Sequence, residues 1–161
     1  MKHLPFEGND GVLYGWGLNT SGQLGVNDTT TRTIPNPINW RTFNKIYAHT
    51  DYAAGIDTTG NIWLWGANTT GKLGGSSTIS KSSPVQVSGG GSWSQLSLNS
   101  NYTGGIKTDG SLWFWGTQNT ANWGINNTFK KAVNSLGLGI SSTSGFSCYF
   151  PLLRSFLLEM H

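Results

Sequence analysis

Apolar positions in this chain gather into runs of about five residues, apolar or aromatic at both parities and bounded by glycine. Three such runs align: Gly11-Val12-Leu13-Tyr14-Gly15-Trp16-Gly17, Gly60-Asn61-Ile62-Trp63-Leu64-Trp65-Gly66 and Gly110-Ser111-Leu112-Trp113-Phe114-Trp115-Gly116. Runs this short, with no polar face, read as strands covered on both sides and rule out helix-based repeats.

The closing glycines Gly17, Gly66 and Gly116 stand 49 and 50 residues apart. A constant interval of this size marks one supersecondary unit per repeat, each covered by its neighbours. The residues before the strands repeat as well, because Ile46, Tyr52, Ile56 and Gly60 recur 50 positions later as Leu96, Tyr102, Ile106 and Gly110. The segments from Ile56 to Ile62 and from Ile106 to Leu112 therefore read as β-hairpins with glycine at the turn.

A second glycine device follows the strand, Asn19-Thr20-Ser21-Gly22-Gln23-Leu24-Gly25 in the first copy and Asn68-Thr69-Thr70-Gly71-Lys72-Leu73-Gly74 in the second. Two glycines bracketing one leucine predict a tight loop that tucks Leu24 or Leu73 inward. The third copy, Asn119-Thr120-Ala121-Asn122-Trp123-Gly124, replaces the first glycine and the leucine and predicts a different loop. Pro37-Ile38 and Pro84-Val85-Gln86-Val87 then suit an edge strand that does not donate every backbone N–H. The third copy has Lys131-Ala132-Val133 there.

The strand, the loop and the proline tract at a period near 50 together resemble the repeats of the regulator of chromosome condensation family, over roughly residues 11 to 133. The resemblance implies blades of four antiparallel strands, which in that family make a seven-bladed β-propeller. The fold expected is thus all-β, a partial β-propeller of two to three antiparallel blades. Repeats fill residues 1–134, and residues 135–161 form a non-repeat tail. The structural repeat motif comprises Gly17, Gly22, Leu24, Gly25, Gly60, Trp63, Trp65, Gly66, Gly71, Leu73, Gly74, Gly110, Trp113, Trp115 and Gly116. Two departures from the family concern blade detail. Tyr52 and Tyr102 stand where its members often carry His, and His49 and Asn99 replace a glycine. The family also brings two activities into view, nucleotide exchange on a small GTPase with chromatin docking, and protein inhibition in some bacterial members. Neither transfers to this chain residue by residue.

Composition narrows the function more than it names one. The 23 glycines and 8 tryptophans in 161 residues, with only 11% charged residues, suit turn-rich β structure with aromatic cores. The formal charge of +3 comes from basic residues scattered along the chain, Lys130 and Lys131 being the only adjacent pair, which argues against a nucleic-acid partner. Cys148 is alone, so no intramolecular disulfide forms, and a reduced, buried thiol is expected. No secretory leader and no bilayer-spanning apolar run is seen, which makes the cytoplasm the default expectation.

Catalytic chemistry needs convergent titratable groups, and seven acids with three histidines are thin material. His49 near Asp51 and Asp57 is the one cluster to weigh as a base or metal ligand, and a solvated loop is the plainer reading. Phosphate, calcium, zinc and nucleophile-elbow motifs are absent from the sequence. No catalytic residue, metal or cofactor is therefore assigned, and the chain is read as a non-enzyme. Trp63, Trp65, Trp113 and Trp115 alternate with aliphatic residues and read as core, whereas Trp40 and Trp93 lie outside those strands and read as exposed binding aromatics. The function expected is a non-catalytic repeat module for protein binding or structural scaffolding, its protein partner unknown. The alternative is a carbohydrate-binding surface or virion protein. An open array also predicts self-association if this is the whole chain. In the tail, Pro151 and the spacing of Leu152, Leu153, Phe156, Leu157 and Met160 predict a short amphipathic helix able to cap the third blade; the alternatives are a disordered tail, or a truncation or frameshift product without a role.

Overall fold

The structure is a computed structural model, and it describes residues 4–7, 12–87, 92–117 and 130–131. All regular elements among these residues are strands, arranged as three antiparallel sheets in chain order. Blade 1 consists of β1 (Leu4–Glu7), β2 (Leu13–Gly17) and β3 (Arg32–Ile38), in that order across the sheet. Blade 2 orders β4 (Phe43–Ala48), β5 (Tyr52–Asp57), β6 (Ile62–Gly66) and β7 (Lys81–Gln86). Blade 3 repeats this with β8 (Trp93–Leu98), β9 (Tyr102–Lys107), β10 (Leu112–Gly116) and β11 (Lys130–Lys131). The glycine-bounded aromatic runs are thus the third strand of each four-stranded blade, and in blade 1 β2 takes that place.

Register is the same in blades 2 and 3. Trp65 faces Ala53 and Leu64 faces Ala54 across β5 and β6, while Trp115 faces Thr103 and Phe114 faces Gly104 across β9 and β10. The hairpin turns close with Gly60 N donating to Asp57 O and Gly110 N donating to Lys107 O, both at 3.0 Å. Both glycines hold φ near +80°, the left-handed region where a side chain would strain the turn. The proline strands β3 and β7 lie at sheet edges, as Pro37 and Pro84 require. The two-residue β11 pairs with β10 at the place where the third copy lacks a proline.

Strand alternation sends side chains to both faces of each blade, and in blade 2 both faces are covered. Ala53 and Trp65 join Leu13, Ile38 and Phe43 in a core between blades 1 and 2, with Val26, Ile46 and Trp63 packed on it. Tyr52, Ala54, Ile56, Ile62 and Leu64 point the other way and join Leu73, Val87, Trp93, Leu96 and Trp115 between blades 2 and 3. Every residue of β5 is buried in consequence. The apolar cores of the array lie between its sheets, so each blade depends on its neighbours for burial.

The tail expectation, residues 135–161 with the helix from Pro151, lies outside the described residues, as do Cys148 and the third-copy loop from Asn119 to Gly124.

Candidate functional site

Each loop that brackets a leucine with two glycines is held by a buried asparagine. Asn19 Oδ1 accepts from Leu24 N at 2.9 Å, and Asn19 Nδ2 donates to the carbonyls of Asp28 and Thr30 at 2.9 and 3.1 Å. Asn68 repeats the arrangement, accepting from Leu73 N at 2.8 Å and donating to Ser77 O and Ile79 O at 2.8 and 3.2 Å. So fixed, the loop turns one main-chain carbonyl toward the next blade. Trp65 Nε1 donates to Gln23 O at 3.0 Å, and Trp115 Nε1 donates to Lys72 O at 2.9 Å. The loop of one blade and the second tryptophan of the next therefore form one joint, made twice with the same atoms. At the second joint Tyr52 adds a pin, its hydroxyl accepting from Asn99 N at 2.9 Å and lying 3.1 Å from Thr103 Oγ1. Burial pushes that hydroxyl far above the ordinary tyrosine pKa, against the lowering effect of its hydrogen bonds.

At the rim between blades 1 and 2, the β3–β4 turn carries Trp40 and Arg41. Trp40 Nε1 donates to Gly25 O at 2.6 Å, which fixes the ring while 52% of the residue stays exposed. Arg41 lays its guanidinium 4.3 Å from the Trp63 ring centre, with Nη1 3.5 Å from Asp57 Oδ2. Asp57 is sealed beneath. Its carboxylate accepts from Thr59 N and Oγ1 at 2.9 and 2.7 Å, from Asn61 N at 3.0 Å and from Trp63 Nε1 at 2.9 Å. Burial raises its pKa, but these donors outweigh burial and hold the carboxyl down at about 2. Val12, Leu13, Ile38, Asn39, Trp40, Arg41 and Thr42 line an open hollow of about 240 Å³ beside this cluster. A fixed aromatic and a cation beside an open hollow can hold a side chain of a partner protein.

The "Regulator of chromosome condensation (RCC1) repeat" family profile matches residues 10–57 and 59–104, more than half of the chain. The chain belongs to this family. Solved structures of RCC1-type propellers are similar in fold. Human WBSCR16 superposes with a TM-score of 0.70 at 18% identity, over 81% of this chain and 35% of that one. Prp20p from Saccharomyces cerevisiae, described with its binding properties to Gsp1p and histones, gives 0.69 at 17% identity, over 83% and 37%. Yeast RCC1 (Prp20) bound to Kap60 gives 0.66 at 16% identity, over 83% and 36%. The chain thus spans little more than a third of these propellers. No curated protein matches its sequence.

The RCC1 motif residues take up repeating backbone roles. Gly17, Gly66 and Gly116 close their strands at φ 104°, 107° and 109°, and Gly22, Gly25, Gly71 and Gly74 hold positive φ in the two loops. Leu24 and Leu73 are 1% and 2% exposed, and Trp65 and Trp115 lie buried at the joints. Trp63 and Trp113 are partly exposed, each with a cation over its ring, Arg41 on Trp63 and Lys107 on Trp113.

Trp93 corrects the expectation of an exposed binding aromatic. It is 4% exposed and belongs to the core between blades 2 and 3. The reason is Gly105 on the neighbouring strand, where a Cβ would come within 2.6 Å of the Trp93 ring, so the absent side chain makes room for the indole. Phe43 lies over Gly55 in the same way 50 residues earlier. The His49 cluster also separates: His49 Nδ1 is 3.4 Å from Asp51 Oδ1, but Asp57 lies at the far end of β5 inside its own donor set. Among the described residues no three His, Cys, Asp or Glu side chains come together as metal ligands. No helix among them is long and apolar enough to cross a membrane. Asn19, Asn68 and Lys72 stand in the aligned loops of the sequence without showing these roles, and Arg41 carries no repeat signal there.

Proposed function

We propose that the chain is a non-catalytic RCC1-type propeller module that binds a protein through the rim at the β3–β4 turn. Trp40 is the anchor and Arg41 its polar companion. The observation that carries this reading is the state of Trp40: a large aromatic more than half exposed, yet fixed by a hydrogen bond to Gly25 and lining an open hollow of mixed polar and apolar character. Tryptophan and arginine are the residue types that most often dominate protein interfaces, and a ring fixed in advance loses little freedom on binding. Prp20p binds Gsp1p and histones, and yeast RCC1 binds Kap60, so this scaffold serves protein recognition in its relatives.

The test compares wild type with Trp40→Ala and Arg41→Ala in capture of proteins from the source cells and on a glycan array. Trp40→Ala is expected to weaken capture of a specific protein roughly 30-fold, about 2 kcal/mol, with the melting temperature monitored as a control. Capture unaffected by both substitutions would overturn the rim assignment. Binding only on the glycan array would favour a carbohydrate surface.

A further inference from the structure

The Arg41 guanidinium is held in place without using its hydrogen-bond donors. Its central carbon lies 4.3 Å from the Trp63 ring centre, and Nη1 comes no closer than 3.5 Å to Asp57 Oδ2. Asp57 has little left to offer it, because the carboxylate already accepts from Thr59, Asn61 and Trp63. Among the described residues no acceptor takes a hydrogen bond from the Arg41 side chain. Other cations of the array behave differently. Arg32 donates to Asp28 and to Thr30 O, Lys45 donates to Ser94 O, and Lys72 donates to Asp51 and Ser100 O. Arg41 is nearly half exposed and lines the same hollow as Trp40. It therefore presents a planar fork of N–H donors at the rim, positioned by an aromatic ring on one side and a saturated carboxylate on another.

We propose that Arg41 receives a carboxylate from an acidic segment of a partner protein, an Asp or Glu side chain whose apolar neighbour packs against Trp40. The assignment rests on the reading of this rim as a protein-binding site and names the chemistry of the partner. Charge complementarity carries it: a guanidinium with unpaired donors matches the two oxygens of a carboxylate in a bidentate pair. Asp57 sets the upper limit on the charge. A carboxylate adds one negative charge beside that of Asp57, whereas a phosphate group adds about two at neutral pH and is repelled more strongly. Trp40, fixed by its bond to Gly25 O, supplies the apolar contact next to the fork, so the pair reads an acidic residue together with its neighbour and not charge alone.

The test titrates the full chain with short peptides, blocked at both ends, whose central residue is Glu, Gln or Lys between leucines. Binding is read by NMR at the Trp40 indole proton and the Arg41 side-chain protons. The Glu peptide is expected to bind at least tenfold more tightly than the Gln peptide, and the Lys peptide more weakly than either. Arg41→Gln should erase the preference for Glu over Gln. Arg41→Lys should keep part of it, because the charge remains while the fork is lost. The Trp40 bond to Gly25 O does not involve Arg41, so an unshifted Trp40 indole proton in the free variants shows that the rim is folded. Equal affinity for the Glu and Gln peptides, with Trp40 responding to both, would overturn the carboxylate and leave the rim as a protein-binding site. A preference for Glu that survives Arg41→Gln would overturn the assignment to Arg41. Inorganic phosphate displacing the Glu peptide at equal concentration would overturn the choice of a carboxylate. No response to any peptide at about 1 mM, a concentration that detects binding of about 4 kcal/mol, would also overturn the proposal, and the capture experiment with Trp40→Ala would then judge the rim by itself.

Discussion

Gly25 and Trp65 approach so closely that a methyl group on Gly25 would lie 2.8 Å from the indole Nε1. Gly25 also holds φ at +70°, so an added side chain is strained by its own backbone and collides with the ring at once. Gly25→Ala is expected to cost about 2–3 kcal/mol in urea unfolding, from overpacking plus backbone strain. Truncating Trp65 or Trp115 to Ala should cost roughly 3–5 kcal/mol each, as for a buried aromatic. A loss below about 1 kcal/mol at both tryptophans would show that the joints contribute little to stability.

The loops that present the joint carbonyls depend on Asn19 and Asn68, whose side chains are 0% and 1% exposed. Replacing either with Ala leaves a buried leucine N–H and two carbonyls without their partner, at a cost of about 1–3 kcal/mol for the first unsatisfied group. Asn68→Ala should therefore lower the unfolding midpoint and speed hydrogen exchange at Leu73 N. Unchanged exchange there would mean that the loop holds its shape through the glycines alone.

Much of this fold is legible in the sequence because its devices recur at a fixed interval. The strands at Leu13, Ile62 and Leu112, the hairpin glycines and the bracketed leucines all stand at the expected positions. What escapes is whatever depends on register between strands. Trp93 looks like an isolated tryptophan, because its counterpart 50 residues earlier is Phe43 and not another Trp. Its burial follows only once Gly105 is known to lie beneath it. Asn19 and Asn68 are visible in the aligned loops, but an asparagine in a glycine-rich loop reads first as a turn former. Arg41 reaches Asp57 from a different element, through a turn whose conformation no periodicity reports.

Asp57 makes acid sensitivity a local property. A carboxyl with a folded pKa of about 2 against an ordinary 3.8 stabilises the fold above the unfolded value, and loses that contribution as pH falls through the interval. The amount is about 2 kcal/mol, supplied by the hydrogen bonds of Thr59, Asn61 and Trp63. Arg41, 44% exposed and 3.5 Å away, adds little. Asp57→Asn should lower stability at pH 7 and flatten the loss between pH 4 and 2. Unfolding curves at pH 7, 4 and 2.5 check this, and parallel pH profiles for variant and wild type would remove Asp57 from the acid response.

Lys72 places a cation at the second joint where the first has Gln23. Its side chain is 2% exposed, and Nζ donates to both oxygens of Asp51 at 3.0 and 2.8 Å and to Ser100 O at 3.0 Å, above the Tyr52 ring. A buried ion pair is weak evidence for stability, because desolvation of the charge offsets the attraction, whereas removing one partner strands the other. The joint itself uses the Lys72 main-chain carbonyl and is blind to the side chain. Gln23 shows that a neutral amide fits the equivalent place, with Oε1 accepting from Ser21 N at 2.9 Å. Lys72→Gln is therefore expected to change stability by less than about 1 kcal/mol. Asp51→Asn should cost more, about 2 kcal/mol, since it keeps the buried ammonium and takes away its counter-charge; the partial exposure of Asp51 places it below the full cost of a sealed pair. Urea midpoints of the two variants decide the order. If Lys72→Gln proved the more damaging, the Lys72 side chain, through its hydrogen bond to Ser100 O of blade 3, would be helping the backbone joint to hold blades 2 and 3 together.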